Sequence, residues 1–302
     1  MTLPCRRQFL RSAAAATAAG LSLKPTVSAI EPIRRLGRPH FRLSVAAYGF
    51  RKYLDLKAKP KPSMTLEDFI DFVAQHDADA VELTAYYFPQ TTPEYLAQLK
   101  GRAARLGLDI SGTAVGNNFC LTDPVKHRAQ IDMVKAWTEH SARLGAKTMR
   151  IFAGTAPKGG EEAARKQCLA AIEEACDHAA KFGVILALEN HGGITSTAEQ
   201  LLTLVRAINH SWFGVNLDTG NFITADPYAD LAQLAPYAVN VQLKTEIQRS
   251  GRAREEADLP RLLDILRQVN YRGYVALEYE AAEDPKTAVP RHLATLRKLM
   301  RS

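Results

Sequence analysis

The sequence predicts an α/β fold, a single closed (β/α)8 barrel, and three observations support this prediction. Short apolar segments alternate with helical patterns eight times from residue 42 onward. No long insertion divides these units, and 302 residues suit one barrel of about 250 residues with an extension. The chain also has no Gly-x-Gly-x-x-Gly loop after its first strand, which an open, doubly wound sheet usually carries.

The predicted strands are short and apolar, and each one precedes a helical pattern. The eight predicted strands are Leu43–Tyr48, Ala80–Thr84, Leu108–Ala114, Thr148–Phe152, Val184–Glu189, Phe213–Asp218, Val239–Lys244 and Tyr274–Tyr279. The predicted helices are Leu66–His76, Pro93–Leu106, Val125–Leu144, Glu161–Phe182, Ala198–Ile208, Tyr228–Leu234, Pro260–Val269 and Val289–Met300. Three of these helices precede a glycine, which is typical of helix C-termini: Gly107, Gly145 and Gly183.

The first 29 residues have the order of segments that a twin-arginine signal peptide has. The motif RRQFL at residues 6–10 precedes an alanine-rich apolar stretch, and Val27-Ser28-Ala29 is a small-residue cleavage site. An alanine-rich helix with a basic start is the alternative. The apolar stretch is shorter than the ~20 residues that span a bilayer, so we expect no stable membrane insertion. We therefore predict export to the periplasm, with a signal peptide at 1–29, a linker at 30–41 and a catalytic barrel at 42–302.

The formal net charge of +7 is concentrated at the N-terminus. Residues 1–38 contain seven basic residues and one acidic residue, which leaves the barrel itself close to neutral. A nucleic-acid-binding protein usually has a broad basic surface. We therefore expect a small-molecule partner rather than a nucleic acid, and the sequence leaves an oligomer possible.

Four consecutive predicted strands carry a polar residue near their C-terminal ends. These residues are Glu189, Asp218, Gln242 and Glu278, and all four share the parity that the bulky apolar residues avoid. In a barrel, one parity of each strand points inward, and the C-terminal ends of the strands surround the active site. The pattern therefore predicts that three carboxylates and one amide converge at the mouth of the barrel.

Three buried carboxylates in one small space repel each other and disfavour ionisation. A divalent cation relieves this repulsion, and oxygen ligands suit hard ions such as Mg²⁺ and Mn²⁺. We therefore predict a divalent metal ion, Mn or Mg, as the cofactor. The alternative is a polar network that bridges barrel layers through water, or acids that pair with lysine at the strand ends.

The four motifs around these positions resemble the xylose-isomerase-like superfamily of sugar isomerases and epimerases, and the resemblance covers residues 42–300. The motifs are Glu189-Asn190-His191, Asp218-Thr219-Gly220-Asn221, Val241-Gln242-Leu243-Lys244 and Val275-Ala276-Leu277-Glu278-Tyr279. The resemblance implies a xylose-isomerase-like TIM barrel whose last four strands hold a metal through Glu, Asp, His and Glu. These roles fall on Glu189, Asp218, position 242 and Glu278. Gln242 replaces the histidine, as in the hydroxypyruvate-isomerase-like branch, and is less suited to zinc.

The resemblance also implies that Glu189 and Glu278 move protons next to a carbonyl group, while the metal stabilises the developing charge. The expected activity is therefore that of an isomerase or epimerase of an unphosphorylated keto-sugar or related polyol, because export disfavours sugar phosphates. A lyase or hydratase on an oxidised (3-keto) sugar or glycoside shares the first step, and a hydroxypyruvate-isomerase-like enzyme is a further alternative. A non-catalytic carbohydrate-binding barrel is disfavoured because both glutamates are present. An abasic-site endonuclease is disfavoured because only His191 lies at a strand end.

Five further residues are candidates for substrate binding: His191, Asn221, Lys244, Glu82 and Arg150. Lys244 could instead pair with the acids, and Glu82 and Arg150 could form an internal ion pair. His191 could equally be an ordinary loop residue. Aromatic residues after the first three strands could form an apolar wall for a sugar ring or pack within their loops: Phe50, Tyr86, Tyr87 and Phe119.

Overall fold

Eleven strands and nine α-helices form along residues 30–57, 59 and 61–301, which are the residues that this computed structural model describes. The predicted signal peptide lies outside them. The strands are β1 His40–Ala46, β2 Ala80–Thr84, β3 Asp109–Ala114, β4 Thr148–Ile151, β5 Ile185–Glu189, β6 Phe213–Asp218, β7 Ile223–Thr224, β8 Ala238–Leu243, β9 Glu246–Arg249, β10 Arg254–Glu256 and β11 Arg272–Leu277. The helices are α1 Arg51–Leu54, α2 Leu66–Ala74, α3 Pro93–Arg105, α4 Pro124–Leu144, α5 Glu161–Phe182, α6 Ala198–Ala207, α7 Pro227–Leu234, α8 Leu259–Gln268 and α9 Pro285–Arg301.

Eight of the strands close into a parallel barrel, which confirms the predicted fold. Around the barrel they follow the order β1, β2, β3, β4, β5, β6, β8 and β11, and β11 pairs with β1 to close the ring. The barrel begins at His40, two residues before the predicted boundary. Across residues 30–57, 59 and 61–301, no helix combines the length and the hydropathy that crossing a membrane requires.

The alternation of apolar and polar residues along a strand separates the outside of the barrel from its interior. On β6, Val215 and Leu217 belong to the apolar core, whereas Asn216 forms hydrogen bonds with side chains of β5 and β8. Asp218 has the same parity as Asn216 and is fully buried. A strand points successive side chains to opposite faces, so this parity is the one that faces inward.

Local sequence signals begin and end the outer helices. Thr65 and Asp68 form a capping box at the start of α2, and Thr197 and Gln200 form another at the start of α6. Helix α4 ends at Gly145, whose φ of 83° is left-handed and therefore favours glycine. These signals set the lengths of the helices that cover the sheet.

Residues 30–39, most of the predicted linker, lie against the N-terminal end of the barrel, and we call this segment the base strap. The backbone N–H of Ile33 donates to the carbonyl of Pro236 at 3.0 Å. The Arg35 guanidinium donates to the carbonyl oxygens of Pro236, Ala238 and Val269, and it lies 5.3 Å from the centre of the Tyr271 ring. The strap therefore ties together the chain segments that lead into β8 and β11.

A small second sheet of β7, β9 and β10 was not predicted from the sequence. Strand β9 pairs with β7 in parallel and with β10 in antiparallel orientation. Strand β7 follows β6 along the chain, and β9 follows β8, so this sheet stands beside the C-terminal ends of two barrel strands. It therefore forms one side of the barrel mouth.

Candidate active site

The barrel strands carry the four predicted metal ligands to the same end of the barrel. Glu189 is the last residue of β5 and Asp218 is the last residue of β6, where it pairs in register with Gln242 of β8. Glu278 follows the last residue of β11, and its N–H donates to the carbonyl of Leu243 at 2.9 Å. This hydrogen bond continues the pairing of β11 with β8 and so fixes Glu278 at the mouth.

A network of amide and carboxyl groups fills the barrel below the mouth. One nitrogen, Asn216 Nδ2, donates to Gln242 Oε1 at 2.6 Å and to Glu189 Oε2 at 3.1 Å. Gln242 Nε2 donates to Glu82 Oε1 at 2.5 Å, and Asn240 Nδ2 donates to Glu82 Oε2 at 2.7 Å. Both ends of the Gln242 amide therefore have partners, and two amides of β8 hold the Glu82 carboxyl group of β2.

Two side chains, Arg150 and Asn221, contact the Glu189 carboxylate from the mouth side. Its Oε2 lies 3.0 Å from Arg150 Nε, and its Oε1 accepts a hydrogen bond from Asn221 Nδ2 at 2.9 Å. Arg150 also donates from Nη1 to the carbonyl of Val115 at 2.8 Å, and its guanidinium lies 3.9 Å from the centre of the Phe152 ring. These contacts hold the Glu189 carboxyl in one orientation.

Lys244 supplies a positive charge among the other acids. Its Nζ lies 2.9 Å from Glu280 Oε1, 3.2 Å from Asp218 Oδ2 and 3.3 Å from Glu278 Oε2. The ammonium also donates to Asn221 Oδ1 at 3.3 Å. These contacts correspond to the predicted alternative, in which a lysine pairs with the acids at the strand ends.

The backbone around Asp218 is fixed by side chains of the neighbouring motifs. Asn190 accepts from the Asp218 N–H at 2.9 Å and donates to the Asp218 carbonyl at 2.8 Å. The Gly220 N–H donates to Asp218 Oδ1 at 2.9 Å. Asp218 Oδ2 is buried and accepts no hydrogen bond from the described residues, although Lys244 lies near it. This oxygen can therefore still take a ligand.

Burial and mutual repulsion raise the pKa of the carboxyl groups in this site. Burial is the largest cause for all four groups, and it raises the pKa of Glu82, Glu189, Asp218 and Glu278 to about 7. Arg150 opposes the rise in the pKa of Glu189, whereas Lys244 opposes it for Asp218 and Glu278. The metal-free site therefore disfavours the simultaneous ionisation of all four acids near pH 7.

Aromatic side chains form part of the rim. His191 is exposed and stacks on Phe152, with 4.1 Å between the ring centres, while Tyr86 is 42% exposed and packs against Tyr48. Desolvation, followed by the positive charges of Arg150 and Lys244, lowers the pKa of His191. The imidazole is therefore neutral near pH 7. Three of the four aromatic residues considered for a wall are buried instead: Phe50, Tyr87 and Phe119.

The structure brings the nine predicted site residues into two layers. Seven are connected at the mouth or border it, and two lie in the polar network below: Gln242 and Glu82. Sequence reasoning missed Glu280, Asn190, Asn216 and Asn240 as members of the site. The inward parity of Asn216 and Asn240 was a usable signal, whereas Glu280 follows its strand and has no parity to mark it.

The oxygen donors of the site fit a hard divalent ion in their chemistry. Among the described residues, no cluster of three or more His, Cys, Asp or Glu side chains is arranged to hold an ion as these side chains stand. Carboxylate and amide oxygens are nevertheless the ligands that Mg²⁺ and Mn²⁺ prefer. Asp218 Oδ2 accepts no hydrogen bond from the described residues, and the cation near it is the Lys244 ammonium at 3.2 Å. Binding would require Lys244 to move, because it lies between Asp218 and Glu278.

Solved structures of the same fold are similar to most of this chain. The IOLI protein, which was crystallised with a zinc atom, is 21% identical with a TM-score of 0.68, and the match covers 85% of this chain and 96% of that one. The 3-keto-D-glucoside 4-epimerase YcjR from E. coli is 16% identical with a TM-score of 0.64, covering 85% and 99%. The probable 3-DHS dehydratase AsbF from Bacillus anthracis is 16% identical with a TM-score of 0.62, covering 85% and 98%. At these identities the similarity establishes the fold.

No curated protein matches the chain significantly. The family model for the xylose isomerase-like TIM barrel matches residues 70–299, which is more than half of the chain. The matched range includes every predicted site residue, from Glu82 to Glu278. The match confirms the resemblance that the strand-end motifs indicated. The chain therefore belongs to the xylose isomerase-like TIM barrel family.

Proposed function

We propose that this protein is a metal-dependent isomerase or epimerase of an unphosphorylated keto-sugar or related polyol. The observation that carries the proposal is the placement of Glu189 and Glu278 at the barrel mouth, on either side of Asp218 in the order of the strands. Both carboxyl groups are buried, and a carboxylate placed beside the carbon to be deprotonated can act as its general base.

Four residues would hold the metal ion: Glu189, Asp218, Gln242 and Glu278. Their oxygens favour Mn²⁺ or Mg²⁺ over zinc, although the IOLI protein was crystallised with zinc. When bound, the ion would polarise the carbonyl group of the substrate and stabilise negative charge on its oxygen. The two hydrogen bonds of the Gln242 side-chain amide orient its carbonyl group, and they leave one lone pair of the carbonyl oxygen available.

The protein's own residues perform the proton transfers in this proposal. One glutamate of the pair Glu189 and Glu278 removes the proton next to the carbonyl, and the other returns a proton to the opposite face. Arg150, which lies 3.0 Å from Glu189 Oε2, supplies fixed positive charge near the developing enediolate. His191 and Asn221 stand at the rim, where they would contact substrate hydroxyl groups, and neutral His191 would serve as a hydrogen-bond partner.

The substrate class follows from the rim and from the proposed location of the protein. His191 and Tyr86 are exposed at the rim, and aromatic rings of this kind pack against a sugar ring. We propose that the twin-arginine segment exports the folded protein to the periplasm, where free sugars rather than sugar phosphates are available. The 3-keto-D-glucoside 4-epimerase among the similar structures supports an oxidised sugar as one substrate of this class.

A lyase or hydratase on an oxidised (3-keto) sugar or glycoside is the second candidate. Elimination begins with the same proton abstraction and then needs an acid for the leaving group. The cluster of Lys244, Glu278 and Glu280 provides such an acid, and a probable dehydratase has the same fold. A hydroxypyruvate-isomerase-like activity is a further candidate because of Gln242.

The test is a screen of the Mn²⁺-loaded protein in deuterated water. Keto-sugars, 3-keto-glycosides and hydroxypyruvate are incubated separately, and deuterium uptake and products are followed by NMR and mass spectrometry. We expect deuterium at the carbon next to the carbonyl together with an epimer or isomer. An eliminated product would instead identify the lyase. If no substrate of these classes exchanges a proton with or without Mn²⁺ or Mg²⁺, the proposed function is wrong.

A further inference from the structure

The Lys244 ammonium occupies the region in which the proposed metal ion would bind. It lies within 3.3 Å of oxygens of Asp218 and Glu278, two of the four proposed ligands. We propose that Lys244 is a built-in cation that competes with the divalent ion, and that Glu280 receives its ammonium when the ion binds. This inference rests on the proposed function, since it assumes the same ligand set.

The position of Lys244 is constrained along the whole side chain. Its backbone N–H donates to Thr219 Oγ1 at 2.8 Å, which fixes the start of the chain. The methylene stem passes directly over Gly220, where an added Cβ would lie 2.8 Å from Lys244 Cδ and 2.9 Å from the Glu246 carbonyl oxygen. A larger residue at position 220 would therefore displace the lysine. The lack of a side chain at Gly220 leaves space for the methylene stem of Lys244.

Simple electrostatics makes the lysine and the metal compete. Mg²⁺ ligands lie at about 2.0–2.1 Å, so an ion that shares the Asp218 and Glu278 oxygens would sit only a few ångströms from Nζ. Two cations at that distance in a buried site repel strongly. One of them must leave, and the lysine is the one with a flexible chain.

Glu280 is the group that can receive the displaced ammonium. It gives the shortest of the three ion-pair distances, 2.9 Å, and it is absent from the proposed ligand set. Its side chain is 20% exposed, whereas Asp218 is fully buried, so a shift toward Glu280 moves the ammonium toward water. Asn221 Oδ1 accepts a hydrogen bond from the same ammonium at 3.3 Å and can keep this bond as the ammonium shifts toward Glu280.

Two consequences follow for metal binding. Without metal, Lys244 already offsets part of the negative charge, so the metal-free protein should stay folded. Metal binding must displace the lysine ammonium from its acids, and this lowers the net affinity for the metal. Removal of the ammonium should therefore tighten metal binding by roughly tenfold or more. Removal of Glu280 should weaken binding, but only while the lysine is present.

The experiment measures Mn²⁺ affinity by isothermal titration at pH 8 for the wild type, Lys244→Met, Glu280→Gln and the double variant. We expect Lys244→Met to bind Mn²⁺ roughly tenfold or more tightly and Glu280→Gln to bind several-fold more weakly. In the double variant, Glu280→Gln should change the affinity little relative to Lys244→Met. Lys135→Met is the matched control, because Lys135 pairs with Glu174 on the outer helices, and its affinity should equal that of the wild type.

Circular dichroism verifies that each variant is folded, and Lys244→Gln replaces Lys244→Met if the latter does not fold. If the wild type binds Mn²⁺ and neither lysine variant binds more tightly, the competition is overturned while the proposed function stands. An equal effect of Glu280→Gln in both backgrounds overturns the role of Glu280. If only the lysine variants bind Mn²⁺, the competition is supported and metal-dependent catalysis by the wild type is wrong. If no protein binds Mn²⁺, both proposals fail.

Discussion

Arg150 and Glu189 form a buried ion pair on adjacent strands, with 3.0 Å between Nε and Oε2 and side chains that are 5% and 3% exposed. Removal of one partner of such a pair leaves an uncompensated charge inside the protein, which costs about 3–5 kcal/mol. We therefore expect Arg150→Met to lower the free energy of unfolding by about that amount. Urea denaturation of the metal-free protein at pH 7 measures the change.

The control for this variant is an ion pair on the surface. Arg291 pairs with Glu283, and their side chains are 58% and 39% exposed, so Arg291→Met should change the free energy of unfolding little. Adding Glu189→Gln to Arg150→Met should restore part of the lost stability, because it removes the orphaned charge. Equal losses for the buried and the surface variants would contradict this account.

The proposed mechanism predicts that Glu189→Gln and Glu278→Gln each lower activity by roughly 10²–10⁴, because glutamine keeps an oxygen for the metal but accepts no proton. Turnover and deuterium exchange are measured on whichever substrate the screen identifies. One variant should still exchange the substrate proton if the two glutamates act on opposite faces. Near-full activity of both variants with metal bound would refute the paired-glutamate mechanism and make Lys244 or His191 the next candidate base.

The ligand set predicts opposite results for two substitutions at the site. Asp218→Ala should strip the bound metal, because it removes both oxygens of a central proposed ligand. Gln242→His should retain metal but shift the preference toward zinc or cobalt, since imidazole favours these ions. Metal analysis after dialysis against equal concentrations of Mn²⁺, Co²⁺ and Zn²⁺ measures the preference. Asn240→His is the control, because Asn240 lies below the proposed ligands, and an equal shift in it would argue against Gln242 as a ligand.

The base strap predicts that Arg35 contributes to the stability of the barrel. Arg35→Ala removes hydrogen bonds from a charged donor to backbone carbonyls near the starts of β8 and β11, and such bonds contribute about 1.5–3 kcal/mol. Thermal and urea unfolding should show a loss of this size. Arg34→Ala is the matched control, since Arg34 is an exposed neighbour and its removal should change little. An equal effect of the two substitutions would mean that the strap contacts contribute nothing specific.

The twin-arginine interpretation predicts that Arg6→Lys combined with Arg7→Lys blocks export. Lysine keeps the positive charge, so a loss of export would depend on the arginine pair itself. Cell fractionation with an antibody against the protein measures the distribution, and circular dichroism of the retained protein should show an unchanged barrel. Normal periplasmic accumulation of the double variant would reject the interpretation.

The barrel could be predicted from the sequence because its strands and helices follow regular periods. Helix α5 runs over Glu161–Phe182, the same bounds that the sequence predicted, and β2 and β6 also match. The sheet of β7, β9 and β10 could not be predicted, because its strands are two to four residues long and partly polar. Their pairing joins segments from two different loops, and no periodic pattern in the sequence indicates this pairing.

The candidate site was predictable where a residue lies on a predicted strand or in a motif directly after one. Parity marked Glu189, Asp218 and Gln242 as inward-facing, but it did not indicate how deep each side chain lies. Gln242 pairs in register with Asp218 on one side and with Ala276 on the other, but its side chain donates to Glu82 in the polar network below the mouth. Glu280 has no parity signal, and its contact with Lys244 depends on how the chain turns after β11.

The engagement of both amide atoms of Gln242 also limits how this barrel can diverge. A substitution at position 242 that removes the amide leaves Glu82 Oε1 without the hydrogen bond from Gln242 and takes one of two acceptors from Asn216 Nδ2, and an unpaired buried polar group costs about 1–3 kcal/mol. A lineage that exchanges the amide for another ligand must therefore change one of these neighbours or pass through a less stable ancestor. We therefore expect a change of residue 242 to be accompanied by a compensating change at Glu82 or Asn216, deep in the barrel.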